Sequence, residues 1–548
     1  MKENIKRHFR NLIWYYLVSI VFVFFQITGL LLAKDGTMNW TLLKALGILV
    51  FSVTGGILLV EVLSYLKGKL SLLNWHEKRK IVEEKKRWQY LFFFWLVVVI
   101  CYVIMLLIYF PGICSYDFHV QVVQGIKNEF TSHHPLLHTL LIRFFWGTGY
   151  FSFENANIGI ALYCLTQILF SASVFTYGAW ILLKTNGKRS SYIAYLVFSC
   201  LFPPHAFMMC TVTKDSIFSL FFLLFVLAMI DIIWLEKQIK LRNGIILLLA
   251  IFGTAGFRNN GRYALYAAIF VLFFMVLLNK KDRKLWGKIF VLSLAVTVLS
   301  IGAISGTEKA YGCKEGDPRE KISVPIQQIA RVADKYPDAL TEEQYDILSQ
   351  CVEEEAWERY LPYISDPVKD KVNSANVVRL KKDFLQLYIS LFLQYPGEYV
   401  DAFLELIAGY VYVNDESCVW IYGNDPGYGY IQTGANEIFL ESIGIYRTSC
   451  FSKALDKVED WVIKNGYLDI PVLKQIMSPG IWLYLILFLI AKDITKKQYK
   501  NMVPYGFIMA YYATMFLGPT VQLRYTYPIM LSGFILFLLQ FGQKEDIE

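Results

Sequence analysis

The stretch Phe92–Leu140 reads FFFWLVVVICYVIMLLIYF followed by PGICSYDFHVQVVQGIKNEFTSHHPLLHTL. Its first part, Phe92–Phe110, carries no charge and is long enough to cross a bilayer as a helix. Its second part holds four of the chain's seven histidines, His119, His133, His134 and His138, together with Asp117. Ionisable groups crowded against a membrane face are costly to place and mark functional sites. The passage from apolar run to titratable loop therefore sets both the fold class, an all-α polytopic membrane protein, and the place where chemistry is expected.

Composition agrees. Of 548 residues, 56% are hydrophobic and only 18% charged, unlike a soluble globular chain. The net charge of +8 lies in short loops between apolar runs, where topology accounts for it, so nucleic acid is not an expected partner. Nine scattered cysteines without a CxxC pair indicate neither a disulfide framework nor a zinc site. The run Leu12–Ala33 is too long for a cleaved signal peptide and reads as a retained span.

Lys2, Lys6, Arg7 and Arg10 place the N-terminus in the cytoplasm. Spans are expected at 12–33 and 41–66, and the basic loop from Lys67 to Arg87 returns to the cytoplasm. The span 89–110 then exits, leaving the loop 111–155 outside, with a surface helix over 135–150 that begins at Pro135. Further spans are expected at 156–183, 191–208, 216–234, 243–257, 262–279, 288–306, 478–491, 502–518 and 526–541. That makes twelve spans with both termini cytoplasmic. Residues 1–88 form two additional N-terminal helices and a basic loop, and 89–306 a transmembrane core. Residues 307–475 form a mainly helical extracytoplasmic region, and 476–548 the C-terminal spans. Within 307–475, Ser323 is expected to cap a helix with Pro325 in its first turn. Phe384–Leu393 and Tyr399–Tyr412 are apolar enough to pack on the membrane or the spans.

This topology sorts the unusual polar residues onto one face: Asp117, His119, His133, His134, His138, His205, Lys214, Asp215, Arg258, Asn259, Asn260, Arg262, Gln522, Arg524 and Tyr525. Chance would scatter them over both. A sugar hydroxyl attacking an anomeric carbon needs a carboxylate to accept its proton, and Asp117 can supply it. One acid suffices when the leaving group is a phosphate; the structural alternative is a helix cap. The His133, His134 and His138 cluster has three readings: metal ligands, with His134 and His138 one helical turn apart; contacts to a donor phosphate; or caps of the surface helix. It lacks the glutamate of an HExxH site. Lys214-Asp215 opens a span, where helix amides and a lysine can hold phosphate or merely anchor the membrane edge. Arg258 and Arg262 sit in a turn on the side that basic residues avoid and call for an anion, either a phosphate or acids of the long region. Arg524 could complete a cationic pocket. Trp420 and Tyr422, in an aromatic turn-rich loop, could stack on a sugar or belong to the interfacial belt.

An acid soon after an early span, a surface helix opening His134-Pro135, and Arg524-Tyr-x-x-Pro528 opening a late span resemble the GT-C glycosyltransferases. These include protein O-mannosyltransferases and the bacterial aminoarabinose and RgtA-like transferases. The segments HHPLLHTLL (133–141), TKDSIFS (213–219), FRNNGRYA (257–264) and VPIQQIARV (324–332) resemble a bacterial membrane family of unknown function, DUF6020, over most of 90–540. The resemblance implies a GT-C-like bundle in a bacterial plasma membrane. It further implies inverting transfer, on the external face, from a polyprenyl-phosphate-linked sugar to a cell-envelope glycan, lipid or protein acceptor. It makes Asp117 the base and sets His133 and His134 near the donor phosphate. From the residues themselves, Lys214, Arg258, Arg262 and Arg524 are expected to face that phosphate, and His119 to hold the acceptor or orient nearby groups. His138, Asn259, Asn260, Trp420 and Tyr422 are expected to contact sugar or acceptor. Many relatives carry a second adjacent acid where this chain has Phe118. No cofactor is required, and a divalent metal stays an open alternative. The rival readings are a flippase or transporter of lipid-linked glycans, a glycan polymerase or ligase, and a structural scaffold. A transporter calls for broken spans and repeat symmetry, neither clearly visible in the sequence. A scaffold does not explain the one-sided polar set.

Overall fold

The computed structural model describes residues 2–72, 82–114, 116–185, 187–353, 355–415, 435–464, 466 and 469–542. Long uncharged runs have one stable solution in hydrocarbon, a helix that satisfies its own backbone. Among the described residues seven helices are long and apolar enough to cross a membrane: Arg7–Asp35, Leu42–Lys67, Glu84–Ile108, Ala156–Thr185, Lys214–Glu236, Asn259–Leu278 and Arg283–Ala310. Two bent pairs, Arg189–Leu201 with Pro203–Cys210 (53°) and Pro471–Met477 with Pro479–Thr495 (71°), raise the number to nine. Leu241–Phe257 and Met502–Met515 are shorter, and Leu523–Gly542 follows them. The architecture is that of a predominantly helical, multi-pass membrane protein, with seven to nine helices among the described residues long and apolar enough to cross a membrane.

Lys214–Glu236 is the axis of the bundle, with 94% of its apolar window buried, against 22% for each of the first two helices. The expected surface helix is Leu136–Gly147, too short to cross. Pro135 stands just before it, in extended backbone, rather than at its first position.

The helix Pro203–Cys210 ends in buried surroundings, and a helix end there leaves carbonyls that lipid cannot satisfy. Gln167, buried in the helix Ala156–Thr185, donates to the carbonyls of Met208 (3.0 Å), Met209 (2.9 Å) and Thr211 (3.1 Å) at that end. The chain beyond it continues extended. Thr211–Val212 pairs in parallel with Ile113–Cys114, Ile113 facing Thr211 and Cys114 facing Val212. Gly112 admits the first strand: its φ is +144°, and a Cβ there would lie 2.6 Å from the Cys164 sulfur. The two short strands deliver two helix starts, Tyr116–Lys127 and Lys214–Ile230, to one place.

The long polar region has an apolar cluster of its own, including Ile326, Ile329, Val332, Leu348, Leu387 and Leu391. It is built from the helices Ser323–Lys335, Glu342–Cys351, Lys381–Gln394 and Pro396–Leu406. Ser323 is the first helical residue rather than the cap, which is Ile322, and Pro325 is in the first turn as expected. Buried Arg331 bonds Glu398 (2.9 Å), Glu405 and the carbonyl of Gly36 (2.8 Å). Asp401 accepts from the Met38 amide and the Trp40 indole, both at 2.8 Å. The turn between the first two helices and the long polar region therefore share a face, as alternating spans require.

Replacing Gln167 with Leu takes a donor from three buried carbonyls, of which Met208 keeps the Ser216 hydroxyl and Thr211 the Thr213 amide, while Met209 loses its side-chain partner. The variant is expected to lose roughly 1–3 kcal/mol of stability, read as a lower thermal midpoint in detergent. An unchanged midpoint would mean the carbonyls find other partners.

Candidate active site

Four elements far apart in sequence converge at one end of the bundle. Asp117 lies in the first turn of Tyr116–Lys127. Lys214 and Asp215 open the axial helix, where the Thr213 hydroxyl caps the Asp215 amide at 3.4 Å. Arg258 occupies the turn between Leu241–Phe257 and Asn259–Leu278. That turn is tight: a Cβ on Gly261 would lie 2.2 Å from the Thr254 carbonyl oxygen. Arg524 is the second residue of Leu523–Gly542.

Their side chains form a chain of alternating charge. The Asp117 Oδ2 accepts from the Lys214 ammonium and, at 3.1 Å, from an Arg524 Nη1. The same Arg524 nitrogen lies 3.7 Å from one Asp215 oxygen, and Arg258 bonds the other. No side chain of the five is more than 13% exposed. Ions so withdrawn from water are tolerable only when each meets an opposite charge. Burial pushes the Asp117 carboxyl up, but the positive charges of Lys214 and Arg524 outweigh it and hold the group well below the ordinary carboxylate range.

Neutral groups fix the cations in place. Gln522 takes the Arg524 Nε, and the Tyr525 hydroxyl accepts from Nη2 at 3.2 Å. The Tyr525 ring carries the Arg258 guanidinium at 4.4 Å and that of Arg524 at 5.0 Å. Tyr511 anchors this segment by donating to the Tyr525 carbonyl at 2.9 Å. His134 Nδ1 lies 3.3 Å from the Lys214 nitrogen. Burial and the Lys214 charge hold its imidazole far below the usual value, so it is neutral and accepts from the ammonium. Exposed His133 stands beside it, ring centres 4.5 Å apart.

Other expected residues are placed elsewhere. His119 follows Asp117 by two positions, about 200° around the helix, and its ring packs on Phe439 at 5.0 Å. The structure thus sets His119 against Phe439 rather than within the charged chain. His138 is fully buried, with Nδ1 on Gln121 (2.9 Å) and Nε2 on the Tyr163 hydroxyl (2.8 Å). With both nitrogens engaged it is an internal fastening, not a sugar contact. Arg262 binds the Ala255 carbonyl (3.2 Å) and Glu308 (3.6 Å) rather than joining Arg258. That acid sits at the end of the helix Arg283–Ala310, where the long region 307–475 begins, which is the acid pairing weighed for this turn. Asn259 reaches the Ser132 carbonyl at 3.4 Å, tying its turn to the histidine loop, and Asn260 is half-buried beside it. His205 is buried against Phe198 and Phe202 and pairs with the Tyr527 hydroxyl at 2.7 Å. Trp420 and Tyr422 lie outside the described residues.

A metal does not fit this arrangement. Among the described residues no three His, Cys, Asp or Glu side chains converge as ligands. Asp117 already carries two cations on one oxygen, and these would repel a divalent ion.

The long polar region docks on both flanks of the site. On the His134 side, the Ser132 amide donates to the Lys314 carbonyl (2.8 Å) and the Gly316 amide to the Ser132 hydroxyl (2.9 Å). On the Arg524 side, the Ser365 amide donates to the Pro519 carbonyl (2.8 Å). Lys369 joins the two flanks by pairing with Glu320 and Asp366, both at 2.7 Å. Tyr511 is a site member that motif reading did not single out, and Asp215, noted beside Lys214, proves to be the partner of Arg258.

In comparisons with known proteins, residues 125–547 match the model of a family of unknown function (DUF6020). The match includes Lys214, Arg258 and Arg524 and begins just after Asp117. No curated protein and no solved structure matches the chain.

Two outcomes follow from the site's burial. Asp215→Asn would leave the Arg258 charge without its carboxylate and should cost about 3–5 kcal/mol, measurable as a lowered thermal midpoint. His138 is held down from the ordinary 6.5 to about 3 by its burial first of all. The folded protein therefore refuses a proton that the unfolded chain accepts below pH 6.5. Its stability is full above that pH and falls as pH drops toward 3, by up to about 1.4 kcal/mol per unit from this group. In thermal scans between pH 7.5 and 5, His138→Gln should show a shallower decline than the wild type.

Proposed function

The chain belongs to that family, whose description assigns no function, and we propose from its own residues that it is a membrane glycosyltransferase. It moves a sugar from a polyprenyl-phosphate donor to a cell-envelope acceptor (glycan, lipid or protein) on the external face of a bacterial plasma membrane. The observation that carries this reading is a buried carboxylate, Asp117, set among cations suited to a phosphate and flanked by the long polar region. In the topology we assign, Leu241–Phe257 and Met502–Met515 count as short spans. With Leu523–Gly542 as the last span and each bent pair counted once, the total is twelve, with both termini cytoplasmic.

The chemistry needs few parts. The acceptor oxygen attacks the anomeric carbon, the carbon–oxygen bond to phosphate breaks, and configuration inverts. Asp117 takes the proton of the attacking hydroxyl. The phosphate leaves with the bonding electrons, stabilised by Lys214 and Arg524, with Arg258 behind them and held by Asp215. His134 steadies the Lys214 ammonium. An apolar groove of about 890 Å³ supports a lipid donor. It lies between the two bent helix pairs, lined by Phe198, Phe202, Trp482 and Phe534. Phe534 is on the same helix as Arg524, roughly 15 Å along it, so one molecule could place its tail in the groove and its phosphate at the cations.

The flippase reading also draws support, from the two bent pairs that the sequence did not clearly show. One experiment separates them. Wild type and Asp117→Asn, reconstituted in membranes, are given a panel of radiolabelled polyprenyl-phosphate sugars and envelope acceptors. Wild type should release sugar from one donor, and the variant should be slower by about 10²–10⁴-fold. Bilayer crossing without cleavage, equal in both proteins, would favour the flippase, and normal turnover in the variant would remove Asp117 as base.

A further inference from the structure

Resting on the transferase reading, we infer that Asp117 and the donor phosphate occupy the same two cations in turn, Lys214 and Arg524, so that donor binding itself releases the base. In the donor-free protein both cations hold one oxygen of Asp117. A carboxylate so held is a poor proton acceptor, because its negative charge is already spent. The groups that the reaction needs at the phosphate and the group that it needs at the acceptor are thus locked together. They cannot both serve unless the lock opens.

The surroundings allow the exchange without dismantling the site. Arg524 keeps Gln522 on Nε and Tyr525 on Nη2 whatever its Nη1 binds. Lys214 keeps His134 at 3.3 Å, and its backbone is fixed at the start of the most buried helix. Asp215 stays with Arg258 and keeps that arginine from capturing the released Asp117. Only the two contacts to the Asp117 Oδ2 change hands. A phosphodiester offers two charged oxygens, enough to engage an ammonium and a guanidinium together.

The cycle then balances. The phosphate enters on Lys214 and Arg524, and Asp117 is left as a free carboxylate at the acceptor side. The acceptor hydroxyl transfers its proton to Asp117 while its oxygen bonds the anomeric carbon and polyprenyl phosphate departs with the electron pair. Loss of polyprenyl phosphate returns both cations, and the proton on Asp117 passes to water as the clamp closes again. Without donor the base stays masked, so donor must bind before acceptor.

The test uses the full-length protein in nanodiscs and farnesyl phosphate as the probe. Removing the competing carboxylate should expose the cations. Asp117→Asn is therefore expected to bind farnesyl phosphate about ten-fold or more tighter than wild type, while failing to turn over donor. Equal or weaker binding by the variant would overturn the exchange and leave the phosphate site standing. Binding to neither protein would overturn the donor reading as well. A second measurement needs only the wild type, should the variant fold poorly. A hydrophobic carbodiimide labels protonated carboxyl groups, and labelling of Asp117 is followed by mass spectrometry. Exchange predicts that farnesyl phosphate speeds this labelling, because the released carboxyl takes up protons more readily. Unchanged or slower labelling would overturn it.

Discussion

Charges withdrawn from water at a membrane edge must find opposite charges, and this need shapes the whole bundle. An unpaired ion in such a place costs several kcal/mol. Asp117, Lys214, Asp215, Arg258 and Arg524 meet the condition only together. Their partnerships span 97 residues from Asp117 to Lys214, 43 from Asp215 to Arg258 and 407 from Asp117 to Arg524. Much irregular local structure makes sense as the means of assembling them. Gly112 lets one chain pass against Cys164, and Gln167 satisfies the helix end from which the other emerges. The two-residue strands then set Asp117 and Lys214 side by side. A continuous helix through Phe202 would have carried Lys214 elsewhere.

The parts of this design that were legible in sequence are those fixed by local physics. Uncharged runs flanked by lysine and arginine reveal spans, and Ala156–Thr185 and Arg283–Ala310 lie where those patterns put them. A charged residue at a membrane edge needs a partner, so Asp117, Lys214, Arg258 and Arg524 could be singled out one by one. Their pairing could not. His119 looked like a companion of Asp117 because it is near in sequence, but a helix turns it to Phe439. His138 looked like a ligand because histidines cluster around it, yet Gln121 and Tyr163 already occupy both its nitrogens. The bends at Pro203 and Pro479 were hidden for a related reason. Hydropathy measures how apolar a segment is and is blind to direction, and a proline beginning a helix reads much like one inside a span.

The opposite end of the bundle shows what a purely structural solution looks like. Asp493 accepts from the Asn501 amide (2.6 Å), the Tyr505 hydroxyl (3.0 Å) and the Gln540 amide (2.5 Å). Asp231 is held by the Tyr177 hydroxyl (2.8 Å) and Arg242 (2.7 Å). Mostly neutral donors surround these carboxylates, and they fasten helix to helix beside the basic loops. Exchanging such a donor gains nothing, since an amide or hydroxyl binds an incoming anion only weakly. At the Asp117 end carboxylates are matched by full positive charges. A cation holds a phosphate as readily as a carboxylate, so contacts of this kind can be traded at little net cost. The bundle therefore keeps its neutral networks where it must stay fixed and its ionic network where a charged ligand can enter. This asymmetry, more than any single motif, is what supports our proposal that the Asp117 end is the working end of the molecule.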